Sequence, residues 1–249
     1  MSGHSKWAGI KHKKAVVDAR RGKLFAKLIR GIEVAAREGG TSNPENDMSL
    51  AAAVDRARSS GVPSDTIERA AKRGAGETGE DVHYVRVLYE GYAPGGVAVI
   101  AEALTENRNR TSSDIRSVFG KAGGNLGEPG SVAWMFERRG VILVQNATED
   151  DVLVAAADAG ADDVRPQEDG GFEIVCEAKD FARVRDAIAG AGFEIENAEL
   201  TMLPQSTVAL DASGARPVLR LLDALEDLDD VQNVYANFDI PDEVFAEVS

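Results

Sequence analysis

The sequence is poor in the residues that build disulfides and metal sites. Of its 249 residues one is cysteine and three are histidine, so an internal disulfide is excluded and a zinc site has few candidate ligands. Cys176 ends an apolar stretch, 172–176, that is typical of a buried strand. We therefore expect a reducing, cytoplasmic setting and neither a metal nor another cofactor.

Long hydrophobic runs and catalytic signatures are missing as well. No run of about 18 apolar residues occurs, which excludes an ordinary transmembrane helix, and the opening residues lack the apolar region of a secretory signal. There is no H-E-x-x-H motif, no paired-Cys motif, no Ser-His-Asp arrangement and no Walker loop. These absences predict a protein that has no membrane partner and is not an enzyme.

Positive charge is concentrated at one end of an acidic chain. Residues 1–30, the basic segment, contain nine Lys and Arg against one Asp, so their charge is 9 − 1 = +8 in a chain of net charge −14. Cations neutralise phosphates, and aromatic or imidazole rings stack on unpaired bases. The pattern predicts nucleic-acid binding, and the alternative is an ordinary solvated surface. The predicted contacts are His4, Ser5, Lys6, Trp7, Lys11, His12, Lys13, Lys14, Arg20, Lys23 and Lys27.

The second half of the basic segment has the period of a helix. From residue 16 to 37 the apolar side chains fall on one side and the cations on the other, which predicts one packed and one cationic face. Two further helices are expected at about 47–59 and from 63 to 74, with breaks that look longer than the tight turn of a helix-turn-helix. Residues 1–80 are thus predicted to be a helical domain behind a basic arm.

A second cluster of polar residues, 107–110, follows a strand and precedes a helix. The helix is predicted to begin at Ser112, with Thr111 and Asp114 as its capping box. Backbone N–H groups and guanidinium groups can converge on an anion at such a helix start. The alternative is that the arginines pair with carboxylates of this acid-rich protein. The candidate anion-binding residues are Asn107, Arg108, Asn109 and Arg110.

The rest of the chain alternates strands and helices. Residues 134–205 follow the order βαββαβ, which is ferredoxin-like. Strands and a helix after residue 205 supply what 81–133 lacks, so 81–133 with 206–249 is predicted to be a discontinuous middle domain into which 134–205 is inserted. An acidic helix end, 223–230, is interpreted as aiding solubility. The predicted fold class is α+β and multidomain: a helical N-terminal domain and two α/β domains.

Three longer motifs are similar to a known family. They are Gly3-His4-Ser5-Lys6-Trp7 with Ile10-Lys11-His12-Lys13 and the stretch 21–30; Tyr89-Glu90-Gly91-Tyr92-Ala93-Pro94-Gly95-Gly96 with 107–111; and Gly123-Gly124-Asn125-Leu126-Gly127 with Gly130-Ser131-Val132. Together they resemble the YebC/PmpR family, which includes the mitochondrial translational activator of cytochrome c oxidase. The resemblance spans essentially the whole chain. It implies three domains around a cleft and a cytoplasmic regulator without catalytic activity.

The resemblance implies two different nucleic-acid partners. Many members are described as transcriptional regulators that bind promoter DNA. Others are described as ribosome-associated factors that bind ribosomal RNA or tRNA and relieve stalling at proline-rich stretches. The usual description favours DNA, whereas an arm of cations with Trp and His suits irregular RNA at least as well. Both partners stay open here, and the sequence predicts no oligomeric state.

Overall fold

The structure, a computed structural model, describes residues 18–79, 83–167 and 170–241, with only the backbone described for 18–21. In chain order its elements are α1 (Asp18–Gly39), α2 (Met48–Ser59), α3 (Ser64–Gly74), β1 (Val85–Tyr92), β2 (Ala98–Thr105), α4 (Arg108–Lys121), β3 (Asn125–Leu126), β4 (Phe136–Gln145), α5 (Glu149–Ala159), β5 (Asp163–Pro166), β6 (Phe172–Glu177), α6 (Phe181–Gly190), β7 (Glu194–Pro204), β8 (Val208–Ala209), α7 (Ala212–Glu226), β9 (Val231–Ala236) and β10 (Phe238–Asp239).

The contacts divide the described chain into two compact units. One unit is Trp134–Thr207, and the other contains the described residues before 134 and after 207. The further division of the larger unit into a helical and a middle domain stays a prediction. No helix of the described residues has both the length and the apolar character needed to cross a membrane.

The first three helices pack around one hydrophobic core. Ile32 of α1, Leu50 and Val54 of α2 and Ile67 of α3 are buried together, so the apolar helix faces predicted from the 3.6-residue period are confirmed. Asp47 caps α2, because its carboxylate accepts a hydrogen bond of 2.7 Å from the Leu50 N–H.

An antiparallel sheet and two helices form the rest of the larger unit. The strand order is β3-β1-β2-β9, and β8 and β10 form a separate short parallel pair. Ile115 and Phe119 of α4 pack with Leu221 and Leu222 of α7 in one core. Because β9 and α7 follow residue 207, the larger unit is discontinuous in sequence.

The smaller unit has the predicted βαββαβ order. Its antiparallel sheet has the strand order β5-β6-β4-β7, in which the first and third strands of the unit lie at the centre, as in a ferredoxin-like fold. Cys176 is buried in the core between this sheet and helices α5 and α6. Burial raises the pKa of its thiol to about 11, so Cys176 is an uncharged packing residue.

Three local predictions are wrong. The apolar run 132–136 predicts a strand, but a short 3-10 helix at Ala133–Met135 leads into β4 there. Helix α4 begins at Arg108 rather than Ser112, because the Asn107 side chain caps it with a 3.1 Å bond from the Arg110 N–H. Between α2 and α3 the break is only residues 60–63, in which Gly61 supplies a positive φ of 81°.

Candidate nucleic-acid interface

Most of the predicted nucleic-acid contacts lie outside the described residues. These are His4, Ser5, Lys6, Trp7, Lys11, His12, Lys13 and Lys14, together with the side chain of Arg20. Lys23 and Lys27 are described, and they lie one turn apart on α1. They are the members of the predicted set whose side-chain contacts the structure describes.

Lys23 and Lys27 are bonded to the carboxyl end of α7. The Lys23 Nζ donates to the Asp227 carbonyl at 3.3 Å, and the Lys27 Nζ donates to the Glu226 carbonyl at 2.5 Å. The last carbonyls of a helix have no intrahelical donor and lie at the negative end of the helix dipole. The two ammonium groups thus satisfy acceptors that α7 itself cannot satisfy.

Arg30 continues the same row of cations one turn further along α1. Its Nη1 donates to the Asp229 carbonyl at 2.6 Å and lies 3.3 Å from the Asp230 Oδ1. The guanidinium also stacks over the Tyr84 ring, with 4.8 Å between its carbon and the ring centroid. The cationic face predicted for α1 is therefore a contact with other parts of the same unit from Lys23 to Arg30.

Asp230 is the carboxylate on which this contact and residues 105–111 converge. Its Oδ2 accepts from the Arg110 Nη2 at 2.7 Å, from the Thr111 Oγ1 at 2.7 Å and from the Thr105 Oγ1 at 3.2 Å. Burial raises the pKa of Asp230, but these bonds and the charges of Arg110 and Arg30 outweigh it, so the pKa lies below its ordinary value. For Asp230 the solubility interpretation is wrong, because the residue is buried.

The four candidate anion-binding residues do not act alike. Asn107 caps α4, and Arg110 has the carboxylate partner that was the alternative interpretation of its charge. Arg108 and Asn109 are exposed at the start of the helix. The Arg108 carbonyl accepts a bond of 3.2 Å from the Tyr89 hydroxyl, and burial raises the pKa of Tyr89, which keeps this donor protonated.

Sequence reasoning missed a second buried carboxylate, Glu90. Its two oxygens accept from the N–H groups of Gly130, Val132 and Ala133 at 2.7, 2.8 and 2.7 Å. Burial raises the pKa of Glu90, but the three backbone hydrogen bonds together lower it by more, so the pKa lies below its ordinary value. The signal in the sequence is an acid in the middle of an apolar strand. This concave loop is an anion site that the protein fills itself.

The described part of the chain contains no cluster of side chains suited to binding a metal ion. No group of three or more His, Cys, Asp or Glu side chains there could hold a metal ion.

The turn between α2 and α3 has the length found in helix-turn-helix proteins. However, the first turns of α3 carry Asp65 and Glu68, which are exposed and would repel phosphate.

Comparison with known proteins identifies the family. Residues 5–77 match the profile described as "TACO1/YebC protein N-terminal domain", and residues 84–238 match "TACO1/YebC second and third domain". The chain belongs to the TACO1/YebC family. The family resemblance found in the sequence motifs is thereby confirmed.

Two TACO1/YebC relatives illustrate how similar the whole chain is. The proteins of Thermobifida fusca and Beutenbergia cavernae are each 54% identical in alignments of 251 positions, which cover 100% of this chain and 100% and 99% of theirs. Both are named "Probable transcriptional regulatory protein". A crystal structure of a conserved hypothetical protein from Aquifex aeolicus is 48% identical, covers 91% of this chain and 93% of its own, and has a TM-score of 0.80. The α+β fold class is confirmed.

Proposed function

We propose that this TACO1/YebC protein is a non-enzymatic regulator of gene expression that binds nucleic acid through its basic segment, and that it acts as a DNA-binding transcriptional regulator. The charge distribution carries the proposal. Residues 31–79 contain six Lys and Arg and eight Asp and Glu, a charge of 6 − 8 = −2, so the positive excess of the first 79 residues lies in the basic segment. The name of the relatives supports the regulatory role.

The proposed contacts divide by chemistry. Lys6, Lys11, Lys13, Lys14 and Arg20 neutralise phosphates, and Trp7 and His12 stack on bases or touch their edges, with His4 and Ser5 beside them. Lys23 and Lys27 belong to the same predicted set. Their bonds to the end of α7 make them the weakest members of that set.

A second candidate function is that of a ribosome-associated translation factor that binds RNA and relieves stalling at proline-rich stretches. One observation favours it: the acidic start of α3 opposes reading of a DNA groove by that helix, which leaves the cations, Trp7 and the histidines as the readers. Rings among cations suit unpaired bases. Co-sedimentation with ribosomes, compared between the full chain and a chain lacking residues 1–15, separates the two candidates.

The binding test measures salt dependence. Fluorescence anisotropy of a labelled DNA duplex and a labelled RNA hairpin gives the slope of log K against log salt concentration for the wild type and for the triple variant K11E/K13E/K14E. We expect the slope to flatten by about one unit per lost contact. A control with the same change in charge is R58E/R69E/K179E, at exposed cations elsewhere. An unchanged slope in the first variant would contradict the proposal.

A further inference from the structure

Three of the four cations of α4 differ from most others in the described chain. The guanidinium groups of Arg108 and Arg116 and the ammonium group of Lys121 are exposed and have no ion-pair partner among residues 18–79, 83–167 and 170–241. Outside α4, the same holds in these ranges for Arg138 and Arg220, and for Lys23, whose ammonium group donates to a backbone carbonyl. Acidic residues outnumber basic ones by 42 to 28 in this chain, so unpaired cations on one helix are unexpected.

The outer side of α4 carries small polar residues. Thr111, Ile115 and Phe119 are the buried residues of this helix of 14 residues, which is about 21 Å long. At about 100° per residue, the side opposite these residues carries small polar positions, and Arg116 and Lys121 flank it on either side. The small exposed positions along this outer side are Asn109, Ser113, Ser117 and Gly120; Arg110 also lies there, paired with Asp230.

Neither the packing nor the backbone conformation of the protein requires a glycine at position 120. No atom lies within 4 Å of a Cβ built at this position, and its φ is not in the left-handed region. Gly123, with a φ of 77°, supplies the left-handed residue after the helix. Glycine costs up to about 1 kcal/mol relative to alanine in a helix, and at this exposed position it leaves room for another molecule to approach the helix closely.

The chemistry of this side fits a sugar–phosphate backbone. Residues 108–121 contain four Lys and Arg and one Asp, a charge of 4 − 1 = +3, whereas the chain after residue 30 carries −14 − 8 = −22. The side has no exposed apolar or aromatic residue of the kind that anchors protein partners. Serine and asparagine side chains and cations are the groups that commonly contact phosphates.

We propose that the outer side of α4 is a second nucleic-acid surface, on which Arg116 and Lys121 contact phosphates and the small residues between them let the backbone of the nucleic acid come close. The inference rests on the proposed function, because it places the same ligand on a second part of the molecule. It assigns to α4 a role that does not depend on the basic segment.

The first test removes the two charges. R116E/K121E is compared with R138E/K179E, which changes one Arg and one Lys on the smaller unit, in the anisotropy measurement with the DNA duplex and the RNA hairpin. We expect the salt slope of R116E/K121E to flatten by about two units and that of the control to stay at the wild-type value. Thermal unfolding of each variant establishes that the chain is folded.

The second test changes only the shape of the surface. G120A and G190A each add one methyl group at an open position of a helix, the second on α6 of the smaller unit. Both should raise the melting temperature, but only G120A should weaken binding. The inference is overturned if R116E/K121E and G120A bind as the wild type does while the salt slope of K11E/K13E/K14E flattens as expected. If the wild type binds neither probe, the proposed function itself fails.

Discussion

The cations of α1 and those of α4 carry the same charge in different surroundings. On α1, Lys23 and Lys27 reach the carbonyls at the end of α7, and Arg30 reaches the Asp229 carbonyl and the Asp230 carboxylate just before β9. On α4, Arg116 and Lys121 meet no acceptor in the described chain. A basic stripe on a helix is thus a docking surface or a ligand surface according to whether the fold brings an acceptor within reach. Three further measurements test this difference between α1 and α4.

The largest effect is expected for Asp230→Ala. The substitution removes the shared acceptor of Arg110, Thr111 and Arg30, so we expect the free energy of unfolding to fall by about 3 kcal/mol. Urea unfolding measures it, with D229A as the control, because Asp229 is exposed and uses its backbone carbonyl to bind Arg30. A loss no larger than that of the control would mean that α1 does not depend on this carboxylate.

A smaller loss, about 2 kcal/mol, is expected for Glu90→Gln, because an amide NH2 group would face backbone N–H donors. The substitution tests an anion site that the protein fills itself, in contrast to the open side of α4. The pKa of Glu90 is lowered from 4.5, so its ionised form stabilises the fold fully above that pH.

This contribution is lost as the pH falls below 4.5 and through the lower pKa of the folded state. The difference in unfolding free energy between the wild type and E90Q should therefore shrink on acidification. E128Q, at an exposed position nearby, is the control. A difference that does not change with pH would show that the charge of Glu90 is not what stabilises the loop.

The smallest effect is expected for a variant that compares the roles of the cations on α1 and on α4 directly. K23A/K27A should lower the free energy of unfolding by about 1 kcal/mol, because two cations at a helix C-terminus are lost, and should leave the salt slope of nucleic-acid binding nearly unchanged. If the slope instead flattens by about two units at unchanged stability, these lysines bind phosphate as the sequence predicts, and the comparison with α4 fails.

Local features of the fold could be predicted from the sequence because they depend on near neighbours. The buried faces of α1, α2 and α3 and the βαββαβ order follow from hydrophobic periods of 3.6 and 2 residues. The start of α4 could not be decided, since Asn107 and Thr111 are both good caps four residues apart. In the structure Asn107 caps the helix, and the Thr111 hydroxyl bonds to Asp230.

The contacts of the candidate site between residues far apart in the sequence could not be predicted from the sequence. Lys27 and Glu226 are 199 residues apart, and the bond between them runs to a backbone carbonyl, for which no residue type is a signal. The positive charge of α4 can be seen in the sequence, but whether Arg116 and Lys121 have ion-pair partners depends on where every carboxylate lies in the fold. For the basic segment, composition and the family motifs remain the basis of the prediction.

The pairing of β2 with β9 also sets an order of events during synthesis. Val99 pairs with Ala236, and the whole of the smaller unit lies between these two residues in the sequence. At about 5 to 20 residues per second, roughly 5 to 20 s separate the synthesis of residue 133 from that of β9. For that time β2 presents an open edge, and the cations of α1 have no α7 to bind. The strands of the ferredoxin-like unit pair within one continuous segment. This unit is therefore fully synthesised before the sheet β3-β1-β2-β9, whose strands come from both before and after it in the sequence.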